Sequence, residues 1–139
     1  MSFFHARPAD PPRDFALLAP ADPSQLAGYA CNDGNISWSF CRACGVRCFA
    51  FWGRGERGEV RVEGEQEARE AWRPVASVDG EEWREGRNAY LSVNAATLEA
   101  GQEEGDLRVW HEKGWVCYLD CKDDKDENHF GRPAEGGMY

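Results

Sequence analysis

The sequence predicts a mainly β fold with little helix, and three observations lead to this prediction. Residues 32–35, Asn-Asp-Gly-Asn, are a strong hairpin signal because Asp-Gly tolerates the positive φ angles of tight turns. Ile36, Trp38 and Phe40 alternate with polar residues at the two-residue period of a strand, which predicts that the three share one buried face. Within the charged region 53–88, only residues 65–72 have a composition near that of a helix.

Three further segments are predicted strands: 46–52, 90–94 and 115–119. The first of these follows the strand at 36–40 across a short turn, so the two are expected to form an antiparallel hairpin. Residues 107–111 form a short amphipathic stretch that the pattern assigns neither to helix nor to strand.

The length and composition indicate one domain with terminal extensions. A chain of 139 residues with 42% hydrophobic content has enough apolar surface for one core. Residues 1–14, rich in Pro, Arg and Asp, are predicted to be an extended arm. Residues 15–123 are the predicted domain, with a charged insertion at 53–88 that is expected to be a long solvated excursion. Residues 124–139 are predicted to be an acidic and Gly-rich tail.

The net charge of -9 disfavours nucleic acid and anionic membranes as partners, because both are themselves negatively charged. No apolar segment is long enough for a signal peptide or a membrane span. We therefore expect a cytoplasmic protein whose partners are small molecules or proteins. Six cysteines in a reducing compartment are expected to be thiols or metal ligands rather than disulfides.

Cys41 and Cys44 form a Cys-x-x-Cys-Gly sequence between two predicted strands, which is the arrangement of a zinc knuckle. Two thiolates on one tight turn can face a common ion, and Gly45 supplies the backbone angles that the turn requires. A redox pair of the thioredoxin type is the alternative, but that motif stands at the start of a helix. The sequence therefore favours half of a four-cysteine zinc site, with Cys41 and Cys44 as ligands.

The other two ligands are not evident in the sequence. At ~3.3 Å per strand residue, Cys31 is expected about 15 Å and Cys48 about 13 Å from the turn. Cys117 and Cys121 are too far apart on one strand for both to join the site. Unpaired cysteines of this kind are expected to be small buried hydrophobic residues. Three histidines are isolated in the sequence and are expected to be ordinary polar side chains: His5, His111 and His129.

Three segments of the chain resemble one protein family. Residues 38–49 contain the cysteine turn with its aromatic flanks, residues 93–98 read Val-Asn-Ala-Ala-Thr-Leu, and residues 115–122 read Trp-Val-Cys-Tyr-Leu-Asp-Cys-Lys. With these segments the chain resembles the glutathione-dependent formaldehyde-activating enzyme family, which includes centromere protein V-like domains. The resemblance spans roughly residues 15–123, and the cysteine turn is its most specific part.

The resemblance implies a β-tent, that is, a twisted, tent-like arrangement of antiparallel sheets. It also implies a structural zinc that joins the knuckle to an N-terminal C-x-C-G hairpin, and a second zinc held by a C-x-C-x-x-C segment. Neither N-terminal motif occurs in this sequence, so only Cys41 and Cys44 can be carried over as ligands. We expect either a shortened or a diverged member of the family.

Two main hypotheses on function follow. The first is a zinc-binding carbon–sulfur lyase that acts on small thiol adducts of the glutathione type, as the resemblance implies. The second is a non-catalytic binding or structural domain, in which two chains pair their Cys41/Cys44 turns in one shared site and form a homodimer. A third alternative is a metal-free enzyme with His111, Glu112 and Asp120 as acid–base groups. No catalytic residue can be assigned from the sequence.

Overall fold

The computed structural model shows a mainly β protein, as predicted. The chain divides into two compact units, Met1–Thr97 and Leu98–Tyr139, so the division falls within the predicted 15–123 domain. No helix in the described part of the chain is long and apolar enough to span a membrane. The residues that the structure describes are 4–30, 32–84, 87–98, 105–114, 117–120 and 125–130.

The described residues of the first unit form seven strands. In chain order these are β1 (His5–Ala6), β2 (Ala27–Ala30), β3 (Ser37–Phe40), β4 (Arg47–Trp52), β5 (Arg54–Val60), β6 (Arg69–Ala76) and β7 (Tyr90–Asn94). Five of them form an antiparallel sheet in the order β1-β7-β4-β3-β2, and β5 and β6 form a separate hairpin. The helical segments of this unit are short: α1 (Pro11–Asp14) and the 3-10 turns Pro23–Gln25 and Ala95–Thr97.

Aromatic side chains fill the space between the large sheet and the β5–β6 hairpin. The Trp72 ring of β6 is perpendicular to Phe51 at 5.0 Å and stacks on Phe49 at 6.3 Å, centroid to centroid. Phe15 closes the group, at 5.5 Å from Phe49 and 6.5 Å from Trp72. The backbone of Leu17 also pairs with that of Trp72, through bonds of 2.7 and 3.0 Å. These contacts join the N-terminal segment, the hairpin and the sheet in one core.

The buried face of β3 differs from the sequence prediction. Ser39 is the buried residue of this strand, whereas Ile36, Trp38 and Phe40 are half-buried. Ser39 pairs with Phe49, so it faces the core side of the sheet. The alternation of apolar and polar residues therefore predicted the strand but not the face that is buried.

The charged region 53–88 is largely exposed, but it contains regular strands rather than an irregular excursion. Most of it forms the β5–β6 hairpin, in which Arg54 to Val60 pair with residues of the returning strand. The helix-like composition of residues 65–72 does not lead to a helix, because residues from Arg69 onward belong to β6. Burial of Trp72 and its backbone pairing with Leu17 outweigh the weak helix propensity of this segment.

The N-terminal segment is not an extended arm in its described part. Residues 5–6 form the edge strand β1, and residues 11–14 form α1. Asn94 fixes this segment to the sheet, because its Oδ1 accepts a hydrogen bond of 3.1 Å from the Phe4 N–H. The Ala95 N–H also donates to the Phe4 carbonyl at 2.9 Å. Phe4 therefore anchors the start of the described chain to the sheet. The Pro-, Arg- and Asp-rich composition of residues 1–14 does not indicate this contact.

Replacement of Asn94 by Ala is expected to destabilise the first unit by about 1–3 kcal/mol. Asn94 is 4% exposed, and its Nδ2 also donates to the Arg47 carbonyl at 3.0 Å, so the variant removes hydrogen bonds from a buried side chain to two partly buried backbone groups. Urea denaturation measures the change. Asn35→Ala is the control, because Asn35 is exposed and its side chain bonds to the nearby Asp33 carboxylate. Equal stability of the two variants would contradict the structural role of Asn94.

The second unit contains one short helix and one hairpin in its described part. Helix α2 (Leu107–Glu112) follows Asp106, whose carboxylate accepts from the Arg108 side chain and backbone N–H, and these bonds lower the pKa of Asp106 to about 2. Strands β8 (Cys117–Asp120) and β9 (Lys125–Phe130) pair antiparallel. The predicted strand at 115–119 overlaps β8. Residues 124–139, predicted to be a tail, contain β9. Its charged residues form a strand because their backbone pairs with β8.

Candidate metal centre

The cysteine turn connects β3 to β4, as the sequence predicted. The Gly45 N–H donates to the Cys41 carbonyl at 2.9 Å, and the Cys41 N–H donates to the Val46 carbonyl at 2.9 Å. Gly45 has a φ of 71°, which other L-residues adopt at a cost, so the glycine permits the reversal. The two cysteines are therefore held on one tight bend rather than on a helix.

Backbone N–H groups are directed at the Cys41 sulfur. Hydrogen bonds from the N–H of Cys44, from the N–H of Ala43 and from the Cys44 thiol lower the pKa of Cys41. N–H donors to a thiolate are a feature of sulfur ligands in metal knuckles. With Zn–S bonds of about 2.3 Å, two sulfurs bound to one tetrahedral zinc ion lie about 3.8 Å apart. Cys41 and Cys44 lie on one tight turn, and the Cys44 thiol contributes to the lowered pKa of Cys41, so the two cysteines are candidates for two such positions.

A β-bulge brings Cys48 towards this turn. Strands β3 and β4 pair Ser39 with Phe49 but Phe40 with Arg47, so Cys48 is an extra residue in β4. The sequence-based distance of about 13 Å between Cys44 and Cys48 assumed a regular strand after the turn. It did not consider that β4 runs back alongside β3, which places Cys48 near Cys41 at the end of β3.

The electrostatic surroundings of Cys48 differ from those of Cys41. Burial raises the pKa of the Cys48 thiol, the N–H of Cys41 acts against this, and repulsion from the Cys41 and Cys44 sulfurs adds to it. The Cys48 thiol donates a 3.5 Å hydrogen bond to the Val46 carbonyl. Cys48 is therefore a half-buried thiol near the turn, and no local pattern in the sequence indicates this proximity.

The described residues do not form a complete metal site. In the part of the chain that the structure describes, no group of three or more His, Cys, Asp or Glu side chains is arranged to hold a metal ion. His5 lies in β1, and its ring contacts Ser92 and Tyr90. Cys31 and Cys121 lie outside the described residues, as do the side chains of Cys117, His111, His129 and Asp120. Among the described residues, Cys41 and Cys44 are therefore not joined by a third ligand, and their role as zinc ligands stays a prediction.

Arg42 stabilises the cysteine turn from outside. Its guanidinium Nη2 donates to the Ser24 carbonyl at 3.2 Å and to the Leu26 carbonyl at 3.1 Å. These carbonyls belong to the segment that leads into β2, so the arginine fixes the turn to the neighbouring strand. Sequence analysis gave Arg42 no role, because its partners are backbone atoms 16 and 18 residues away.

A second group of polar side chains surrounds His5 on the sheet. Its Nδ1 lies 2.8 Å from Ser92 Oγ and 3.1 Å from the Tyr90 hydroxyl. Burial of the ring, followed by the charges of Arg7 and Arg47, lowers the pKa of His5. His5 and Ser92 are 87 positions apart in the sequence, so no local pattern connects them.

No protein-family model matches the sequence, and no curated protein or solved structure is significantly similar to it. The resemblance to the glutathione-dependent formaldehyde-activating enzyme family therefore stays a prediction. It rests on the cysteine turn and on the two short segments at 93–98 and 115–122.

Proposed function

We propose that the chain is a zinc-binding domain in which Cys41 and Cys44 supply two thiolate ligands. The observation that carries this proposal is the pair of sulfurs on one turn, with backbone N–H groups of Ala43 and Cys44 directed at the first. A bound zinc ion would fix the bend between β3 and β4. The remaining ligands come from outside the described set, either from other residues of the chain or from another molecule.

By its family resemblance, the domain is proposed to act as a carbon–sulfur lyase on glutathione–aldehyde adducts. In such a reaction a thiol sulfur and an aldehyde carbon form or break one bond, while a proton moves to or from the aldehyde oxygen. A zinc ion with an open position polarises the oxygen of an aldehyde or adduct. The contribution of Cys41 and Cys44 would be to hold the ion and to leave positions for other ligands.

The alternative function is a non-catalytic domain that forms a homodimer through a shared four-cysteine site. The exposure of Cys44 favours this alternative, because a partner chain can reach its sulfur. Two copies of the Cys41/Cys44 pair would supply the four thiolates of a closed structural site. Such a site has no open position, so this alternative excludes catalysis at the same ion.

Metal analysis combined with native mass spectrometry tests the proposal. We expect zinc in the purified full chain and its loss in Cys41→Ser and Cys44→Ser, because each variant leaves a single sulfur on the turn. Cys48→Ser is the matched control and is expected to retain zinc, since Cys48 completes no metal-holding group in the described structure.

The stoichiometry separates the two functions. One zinc per dimer that dissociates with Cys41→Ser supports the shared site. One or more zinc ions per monomer, with faster equilibration of formaldehyde and glutathione by NMR exchange, supports the lyase. A wild-type chain without zinc, or a Cys41→Ser/Cys44→Ser double variant that keeps it, would contradict the zinc-binding function itself.

A further inference from the structure

A cluster of aromatic and polar side chains lies on the outer face of the large sheet, defined as the face opposite to Trp72. Its floor consists of Ala50 and Ser92, which pair between β4 and β7 and are each 0% exposed. Trp38 pairs with Ala50 from β3, so these three side chains share the outer face. The floor residues are small, which leaves space above them for a larger side chain.

The His5 ring lies above this floor. It contacts the Trp38 ring edge to face, with the ring centroids 5.4 Å apart, and its Nδ1 bonds to Ser92 Oγ. A fully buried hydroxyl needs a hydrogen-bond partner, and His5 supplies one for Ser92. The Tyr90 hydroxyl reaches the same nitrogen at 3.1 Å. Two hydroxyl groups therefore converge on one imidazole nitrogen.

Two arginines make this region positive. The Arg7 guanidinium lies over the Tyr90 ring at 5.1 Å from its centroid, and the Arg47 guanidinium lies over the Trp38 ring at 5.8 Å. Both positive charges contribute to the lowered pKa of His5, so both guanidinium groups are close enough to His5 to interact with it. In a chain of net charge -9, the outer face around His5 is a local region of opposite sign.

The Arg7 side chain lies at the surface, over the Tyr90 ring. It is exposed and makes no ion pair with any acidic side chain that the structure describes. A guanidinium that stacks on an aromatic ring uses its flat face, and its N–H groups remain in the plane for acceptors at the side. This fork of donors matches the two oxygens of a carboxylate.

We propose that Arg7, Tyr90 and His5 form a binding site for a small organic carboxylate on the outer face of the sheet. Arg7 would hold the carboxylate through two parallel N–H donors, beside the Tyr90 ring on which it stacks and close to the His5 ring. The exposed ring of Tyr29 stacks on Trp38 at 6.3 Å, so an aromatic surface continues beside the site for the carbon skeleton of the ligand. This site goes beyond the proposed zinc function and uses none of the cysteines.

NMR titration of the full-length, ¹⁵N-labelled chain tests this site. Sodium acetate and sodium 3-phenylpropionate are the probes, with sodium chloride to match the ionic strength. We expect saturable shifts of the His5 ring resonances with both carboxylates, and tighter binding of 3-phenylpropionate because of the aromatic surface. Carboxylate binding is also expected to raise the pKa of His5, since the anion offsets the charges of Arg7 and Arg47.

Variants of Arg7 test whether the carboxylate is bound by the planar donor fork of the guanidinium or by positive charge in general. Arg7→Gln is expected to weaken binding at least about tenfold, and Arg7→Lys is expected to weaken it measurably because lysine lacks the planar fork. Arg13→Gln is the control, since Arg13 is exposed and pairs with Asp14 in α1. The proposal would be overturned if Arg7→Gln and Arg13→Gln bound the carboxylates equally well, or if Arg7→Lys kept wild-type affinity. It would also be overturned if no saturable shift were seen, or if inorganic phosphate bound more tightly than the carboxylates.

Discussion

Replacement of Trp72 by Ala is expected to destabilise the first unit by about 3–5 kcal/mol, the largest effect of any single substitution proposed for this chain. Trp72 is 7% exposed, and its ring contacts Phe15, Phe49 and Phe51 from three directions. These contacts connect the hairpin, the sheet and the N-terminal segment. Loss of the indole leaves a cavity that the surrounding strands cannot close, because each is held by its own backbone pairing.

Urea denaturation monitored by far-ultraviolet circular dichroism measures this effect. Trp72→Phe keeps an aromatic ring in the core and is expected to lose less stability than Trp72→Ala. Val78→Ala is the surface control, because Val78 is 49% exposed, and its change is expected to lie within about 0.5 kcal/mol. A Trp72→Ala variant as stable as Val78→Ala would mean that the hairpin does not pack on the sheet as described.

The positions of several strands could be predicted from the sequence because alternation and apolar runs are local properties. The segments predicted at 46–52 and 90–94 correspond to β4 and β7. The buried face of β3 could not be predicted in the same way. The buried face is decided by a residue of another element, Trp72, which stacks on Phe49 on the core side of the sheet. Ser39 pairs with Phe49 and therefore faces the same side.

The β5–β6 hairpin was missed because its composition is that of a solvated surface. Nearly every residue of β5 is exposed, and its ion pairs are superficial, such as that of Arg73 with Glu56 at 3.7 Å. Exposed pairs of this kind contribute little to stability. What holds the hairpin is the antiparallel pairing of its backbone and the burial of Trp72, and neither can be read from the frequency of charged residues.

The candidate sites show the same distinction between local and distant information. The turn of Cys41 and Cys44 could be identified from the sequence because both cysteines and the glycine that permits the turn lie within five consecutive residues. The proximity of Cys48 arises from a bulge between two strands, which depends on pairing register. The contacts of His5 with Ser92 and Tyr90 require β1 to pair with β7, so they depend on the topology of the sheet.

Replacement of Gly55 by Ala is expected to destabilise the first unit by about 1–3 kcal/mol, for a reason that is coupled to Trp72. A Cβ on Gly55 would overlap the six-membered part of the Trp72 indole and would lie 2.6 Å from its Nε1. The indole cannot move away without losing its contacts with Phe49 and Phe51. Gly58→Ala is the matched control on the same strand, because nothing lies within 4 Å of a Cβ at Gly58.

A double-mutant cycle decides whether this steric overlap is the cause. In the Trp72→Ala background the indole is absent, so Gly55→Ala is expected to cost close to nothing, whereas the two single changes would each be costly. The coupling should therefore be nearly as large as the effect of Gly55→Ala alone. If Gly55→Ala lost the same stability in both backgrounds, the cost would come from the β5 backbone, and the placement of Trp72 over Gly55 would be wrong. Because Gly58→Ala changes the same type of residue in the same strand, it separates a general loss of backbone freedom from this specific contact.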